Sequence, residues 1–160
     1  MITLLRCDDR LIHGQCMNMI VRKHFIKDII VVDDYTANNA IMKRIFQAAV
    51  PKGMTATAVT FEDSIALIKQ AMTNDVNTLV LMRLPSIMLE IFKIIPDLPK
   101  DFNIANVVAK NATVDPVFYA HFNDVEMNAV KEMDAMGVHI WFNLIPDKPT
   151  TEWKDIKSKF

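Results

Sequence analysis

The sequence has no surplus of charge of either sign. Eighteen lysines and arginines stand against 19 acidic residues, a formal net charge of −1, and the pI is about 6.4. Without a lysine or arginine block, the phosphate-neutralising footprint of a nucleic-acid binder is missing, and no nucleic acid is expected as a partner. Also absent is any run approaching the ~18 to 20 apolar residues of a membrane-spanning helix. The amino terminus, interrupted by Arg6 and Asp8, reads as a strand rather than a signal peptide, so a cytoplasmic protein with no membrane span of its own is expected. Cysteine is scarce: Cys7 and Cys16 match neither a Cys-x-x-Cys redox pair nor a zinc pattern, and the histidines at 13, 24, 121 and 139 are scattered. Both thiols are therefore read as buried and reduced, and no metal is expected. The 11 methionines are read as filling core and partner-facing surface. No repeat, low-complexity segment or linker divides the chain. Residues 1–160 suit a single domain, which at this length buries roughly 68 to 70% of its unfolded surface.

What is present is an alternation of strand and helix signals. Ile2 to Cys7 reads as a buried strand and Gly14 to His24 as a helix. Asp28 to Asp34 is a second strand, Ala37 to Val50 a helix stopped by Pro51 and Gly53, and Met54 to Val59 a third strand. Thr60 with Glu62 and Asp63 looks like a helix N-cap opening an amphipathic helix to about Met72. A fourth strand follows over Val76 to Met82, then a helix begun by Pro85 and running to Ile95, and a fifth strand over Phe102 to Val108. Ala109 to Phe122, broken by Pro116, is the least legible stretch. Asn123 to Glu126 forms a capping box, Gly137 suits a helix C-terminus, Val138 to Leu144 is a further strand, and a short helix closes the chain from about Thr151. The pattern predicts an α/β fold: a single three-layer domain with a mostly parallel central sheet and helices on both faces. Ligands in such folds bind at the carboxyl ends of the strands.

The run Asp8-Asp9-Arg10-Leu11-Ile12-His13-Gly14-Gln15 falls at such an end. His13 would sit at a helix N-terminus, where free N–H groups and the helix dipole favour anions, phosphate above all. Phosphoryl transfer asks for an in-line nucleophile and compensation of oxygen charge. The imidazole offers the first. Arg10 offers the second with planar donors, each charge pair amounting to about 4 kcal/mol at ~4 Å and an effective dielectric near 20, before desolvation. Gly14 permits close backbone approach, and Gln15 adds an N–H at the helix start. Asp8 or Asp9 would orient Arg10 or fix the His13 tautomer, and as adjacent acids at most one faces the site. Spacing alone leaves Arg10 and His13 equally readable as surface or capping residues. His24 reads as a helix C-terminal residue favoured by the dipole. His121 reads as a loop residue, His139 as a strand residue, and Asp33 and Asp34 as crevice or N-cap residues. Arg83, Lys110 and Asn111 follow strands and are supporting candidates.

The same octapeptide resembles the phosphorylation-site loop of the IIB subunits of the mannose/fructose/sorbose class of the bacterial sugar phosphotransferase system. Ile29-Ile30-Val31-Val32-Asp33-Asp34, Ala49-Val50-Pro51-Lys52-Gly53, and Gly137-Val138 ahead of Pro146 are similar to that family in order and spacing, so the resemblance spans essentially the whole chain. It implies that His13 accepts a phosphoryl group on Nδ1 from a IIA phosphohistidine and passes it to a sugar carried by membrane IIC and IID subunits. By the same resemblance, Arg10, Gly14 and Gln15 bind the phosphoryl group and no cofactor or metal is needed. The IIA function would lie outside these residues, and the protein would associate peripherally with its transporter. Two other classes stay open: a regulatory phosphoacceptor reporting sugar supply, and a module binding a free phosphorylated metabolite.

Overall fold

A computed structural model describes residues 1–160, apart from the side chains of Gln15 and Cys16. Strand β1 (Ile2–Cys7) lies at the middle of a seven-stranded sheet. Its neighbours are β4 (Thr78–Met82) and β5 (Asp101–Ile104), both parallel to it. Beyond β4 come β2 (Asp28–Val32) and β3 (Thr55–Val59), again parallel. Beyond β5 comes β9 (His139–Phe142), parallel, and then the two-residue antiparallel edge strand β10 (Thr151–Glu152). The expected mostly parallel sheet is therefore present, with helices on both faces.

Strand alternation divides the apolar residues between two cores. Leu4, Ile29, Val31, Leu79 and Leu81 face helix α1 (Gly14–Lys23), through Met17, Ile20 and Val21, and Phe46 of α3 (Ala40–Ala49). Leu5, Ile30, Val80, Met82 and Phe102 face the other way. They meet α4 (Phe61–Met72), α5 (Pro85–Ile94) and α6 (Asp124–Ala135) through Ile68, Phe92 and Val130. A side chain such as Phe92, fully buried, contributes on the order of 2 to 3 kcal/mol by leaving water. Buried on both faces, the central strands carry no polar alternation, which is why they read as continuous apolar runs.

Three expectations are corrected. The helix expected over Ala37 to Val50 is two helices, α2 (Asp34–Ala37) and α3. Asn39 interrupts it by accepting hydrogen bonds from the N–H groups of Ile41 and Met42, both at 3.1 Å, and so caps a new helix instead of continuing the old one. The strand expected over Phe102 to Val108 also divides. After Ile104 the chain leaves the sheet, and β6 (Val107–Val108) joins β7 (Val114–Val117) and β8 (Ala120–Phe122) in a separate three-stranded sheet of order β6-β8-β7. Pro116 sits on β7, an edge strand, where its missing N–H interrupts no inner ladder. At the carboxyl end β10 precedes the short helix α7 (Trp153–Ile156), so the expected helix starts two residues late. Trp153 is buried, stacking on Phe160 at 6.0 Å between ring centres and lying against Phe142 at 6.5 Å.

Candidate functional site

The loop after β1 is fixed by its backbone before any side chain is considered. Asp8 N–H donates to the Met82 carbonyl (2.9 Å) and Asp9 N–H to the Asn106 carbonyl (2.8 Å), so the chain leaves the sheet pinned to both neighbours. Leu11 N–H then turns back to the Asp8 carbonyl at 2.9 Å. Closing that turn holds the fully buried Leu11 at φ +55°, a left-handed conformation that costs a non-glycine residue about 1 to 2 kcal/mol. Gly14, at φ +43°, takes the second left-handed position, and α1 begins there.

Asp8 is the carboxylate at the centre. It is 0% exposed and faces two guanidinium groups. Arg10 Nε donates to Oδ1 at 3.0 Å and Arg10 Nη2 to Oδ2 at 3.1 Å, while the Arg10 backbone N–H reaches Oδ1 at 3.3 Å. Arg6 Nη2 donates to the same Oδ2, also at 3.1 Å. Such a two-point clamp restrains the Arg10 fork, whose side chain is 42% exposed. Asp9 behaves differently: its carboxylate accepts from the Asn106 side chain and its carbonyl from Arg83 Nη1. Of the two adjacent acids, Asp8 is the one whose carboxylate clamps Arg10 at two points.

His13 is the N-cap of α1, half-buried, and makes no side-chain cap. Its Nδ1 lies 2.9 Å from the Leu11 carbonyl oxygen, which only accepts, so Nδ1 carries the proton in this conformation. Nε2 is buried without a hydrogen-bond partner. The resemblance implied Nδ1 as the accepting nitrogen; here that atom is engaged, and the ring has to turn for either nitrogen to meet an incoming group. The expectation for the Gln15 side chain falls outside the described residues, as does that for the Cys16 thiol.

Arg6 was not singled out in the sequence reading, although a charge inside an apolar strand was its visible signal. It is 2% exposed and held by the Asn103 side chain, the Leu144 carbonyl at 3.0 Å and the Asn143 carbonyl at 3.3 Å. Burial lowers its pKa from the ordinary arginine value and Asp8 opposes that; a guanidinium so paired stays a cation. On the other side of β1, Arg83 Nε donates to Asp33 Oδ1 at 2.9 Å. Burial alone would raise the Asp33 pKa, but hydrogen bonds from the Thr36 hydroxyl, Arg83 and the Thr36 N–H outweigh it, and the net shift is downward. Asp33 is the N-cap of α2, one of its two expected roles. It also lines a cavity of about 430 Å³ with Tyr35, Phe61 and Ile87.

Cys7 is buried and donates to the Arg83 carbonyl at 3.0 Å. Burial, reinforced by Glu126, pushes its pKa well up, so the thiol is protonated and unreactive, as its reading as a small core residue requires. His24 is corrected: it does cap α1, but burial and the neighbouring Lys23 lower its pKa, and the neutral ring is favoured over a dipole-stabilised cation. His121 lies in β8 rather than a loop, paired with Asp115 at 2.7 Å. His139 opens β9 between Asp101 and Glu152. Among the described residues no cluster of three or more His, Cys, Asp or Glu could hold a metal, and no helix is long and apolar enough to cross a membrane.

A mostly parallel sheet covered on both faces, with a histidine and a carboxylate-clamped arginine on the first loop at its carboxyl edge, defines an α/β protein whose candidate site lies on that loop. Residues 2–160 match the family model described as the PTS system sorbose subfamily IIB component. A probable phosphotransferase enzyme IIB component of Streptococcus pyogenes serotype M6 is 33% identical over 152 residues, covering 91% of each chain. The sorbose-specific EIIB component of Klebsiella pneumoniae is 23% identical over 154 residues, 96% of this chain and 93% of the other. The solved IIBSor domain of the sorbose permease from Klebsiella pneumoniae superposes with a TM-score of 0.89 at 23% identity, over 99% of this chain and 96% of that one. The chain therefore belongs to the sorbose subfamily of IIB components, the sugar phosphotransfer subunits of the phosphotransferase system.

Proposed function

We propose that residues 1–160 act as one phosphocarrier unit in which His13 takes a phosphoryl group from a IIA phosphohistidine and yields it to a sugar handled by membrane IIC and IID subunits. The observation that carries this reading is the Asp8 clamp on Arg10, three residues before His13. It presents a fixed, partly exposed guanidinium beside an imidazole in a chain of this family. Arg10, with the backbone N–H groups of Gly14 and Gln15, would take up the charge spread over the phosphoryl oxygens, and Asp8 holds Arg10 in place.

In the step proposed, the His13 ring first turns away from the Leu11 carbonyl, and its proton passes from Nδ1 to Nε2. The Nδ1 lone pair then forms a bond to phosphorus as the phosphorus–nitrogen bond of the donor histidine breaks. The donor imidazole recovers its electron pair and takes up a proton. Transfer to the sugar repeats the displacement with a hydroxyl oxygen as nucleophile and His13 as leaving group. No cofactor is required by these steps. The mannose-specific EIIAB component of Escherichia coli K12, 22% identical over 160 residues and spanned to 49% of its length, joins the A and B components in its name and supports IIA as the donor. A place at the cytoplasmic side of the transporter follows from this reading.

The test is transfer of labelled phosphate from phosphorylated IIA to the wild-type protein and to His13→Ala, followed by delivery to a panel of sugars in vesicles holding IIC and IID. Label on wild type alone, with a sugar product, is the expected result. Label that never reaches any sugar would replace the carrier by the regulatory phosphoacceptor. Reversible phosphometabolite binding without label would replace it by the binding module.

A further inference from the structure

Arg6 is a buried cation that the transfer step itself does not use. It stands opposite Asn103 in the register of β1 with β5, and both terminal nitrogens of its guanidinium are committed to the protein, to Asn103, the carbonyls of Asn143 and Leu144, and Asp8, while its Nε is buried without a hydrogen-bond partner. Only the last of these contacts leads to the candidate site. Asp8 in turn spends the same oxygen, Oδ2, on both Arg6 and Arg10. The three groups form a linear array, cation, buried anion, cation, of which only Arg10 reaches solvent.

From this geometry we propose that Arg6 is a positioning residue for phosphoryl transfer, acting through Asp8 as a second cation on the carboxylate that holds Arg10. The inference rests on the phosphocarrier reading above. A buried carboxylate with a single cationic partner holds that partner tightly, because little solvent screens the pair. With Arg6 in place the array carries a net charge of +1 toward an incoming dianionic group. Remove Arg6 and Arg10 becomes the sole neutraliser of Asp8, leaving a net charge of zero. The anchors of Arg6 serve the geometry as well. Asn103 lies on β5 and Asn143 and Leu144 directly after β9, so three strands of the sheet fix where Asp8, and therefore Arg10, is held.

The experiment measures the rate and the end point of label transfer from phosphorylated IIA for wild type, Arg6→Met, Arg6→Lys and the double variant Arg6→Met with Asp8→Asn. Arg6→Met is expected to slow transfer by about 100-fold, the scale of loss when a contributing group is misplaced by ~1 Å, with the labelled fraction at completion unchanged. Arg6→Lys should fall between the two, since it keeps the charge and loses the fork. The double variant, measured beside Asp8→Asn alone, lacks the carboxylate through which Arg6 acts and should be within about 2-fold of Asp8→Asn, a non-additivity that an independent structural role would not give. Where Arg6→Met does not fold, Asn103→Ala replaces it and should slow transfer by about 10-fold with the end point retained. Wild-type rates in a folded Arg6→Met or Asn103→Ala overturn the proposal, and so does a double variant about 10-fold or more slower than Asp8→Asn alone. A fall in the labelled fraction with an unchanged rate overturns it too, because that marks loss of folded protein. A wild type that takes no label at all overturns the phosphocarrier reading and this inference with it.

Discussion

Arg10 meets the Asp8 carboxylate at both oxygens, its Nε 3.0 Å from Oδ1 and its Nη2 3.1 Å from Oδ2. Two parallel bonds of this kind are available to arginine and not to lysine. Arg10→Ala should therefore slow phosphoryl acceptance by about 100-fold or more, the loss typical of removing one donor to a developing charge. Arg10→Lys should retain part of the rate. The measurement is single-turnover transfer from phosphorylated IIA, and wild-type rates in both variants would return Arg10 to the role of a surface residue.

His13→Ala should abolish labelling and leave the fold intact. The ring makes one hydrogen bond, to the Leu11 carbonyl, so its removal should cost about 1 kcal/mol of stability. Chemical denaturation checks the second half of the statement and labelling the first. Label on the alanine variant equal to that on wild type would move the phosphoacceptor elsewhere.

The cysteines should be dispensable for transfer. Cys7 is a buried thiol bonded to the Arg83 carbonyl, and the pair Cys7→Ala and Cys16→Ala should lower stability by about 1 to 2 kcal/mol while labelling stays near wild type. A variant shown folded by circular dichroism yet unable to accept label would make the thiols part of the chemistry.

A pH dependence is expected far from the loop, at the other end of the sheet. His139 donates from Nδ1 to Asp101 at 2.7 Å and from Nε2 to Glu152 at 2.6 Å, which requires the protonated ring. Those hydrogen bonds, Asp101 first and then Glu152, raise its pKa above the ordinary 6.5. A raised value means the added stability is fully present below pH 6.5 and is lost as pH rises through the folded-state pKa. The groups are about half exposed, so screening limits the effect to about 0.2 to 1 kcal/mol. Comparing denaturation midpoints of wild type and His139→Gln at pH 5.5 and pH 8.5 tests this: the difference should shrink at the higher pH, and one independent of pH would contradict it.

The legible parts of this chain were those governed by neighbours in sequence. The apolar run Ile2 to Cys7 and the caps at Thr60 and Asn123 are local, and each stands where its pattern placed it, but the box expected over Asn123 to Glu126 forms only by half, because the Glu126 carboxylate turns to Ser86 instead of to the Asn123 N–H. The break at Asn39 was also local, yet a side-chain cap competing with a continuing helix is decided by a small energy difference that periodicity does not register. Val107 and Val108 looked like more of β5 because strand propensity is indifferent to which sheet a strand joins. At the site, His13 and Arg10 were visible from spacing and resemblance. Arg6 was not, since its meaning depends on Asn103, 97 residues away, arriving opposite it in the sheet. The choice between Asp8 and Asp9 was non-local in part: Arg6 lies two residues from Asp8, but Asn106, which engages Asp9, lies 97 residues away.

The pairing of Glu126 with Ser86 carries a consequence for how this surface discriminates. Both carboxylate oxygens of Glu126 are taken by the N–H and hydroxyl of Ser86, each at 2.8 Å, at the start of α5. Helices α2, α3, α4 and α6 likewise begin on oxygens of their own chain, from Asp33, Asn39, Thr60 and Asn123. A tethered oxygen is present at an effective concentration that no diffusing phosphate matches, so those helix starts are closed by competition. At α1 the N-cap residue is His13 itself, which supplies no such oxygen, and the first turn contains no acid. On the phosphocarrier reading, the place where an anion settles would be set less by strengthening one helix end than by answering the starts of α2 to α6 in advance.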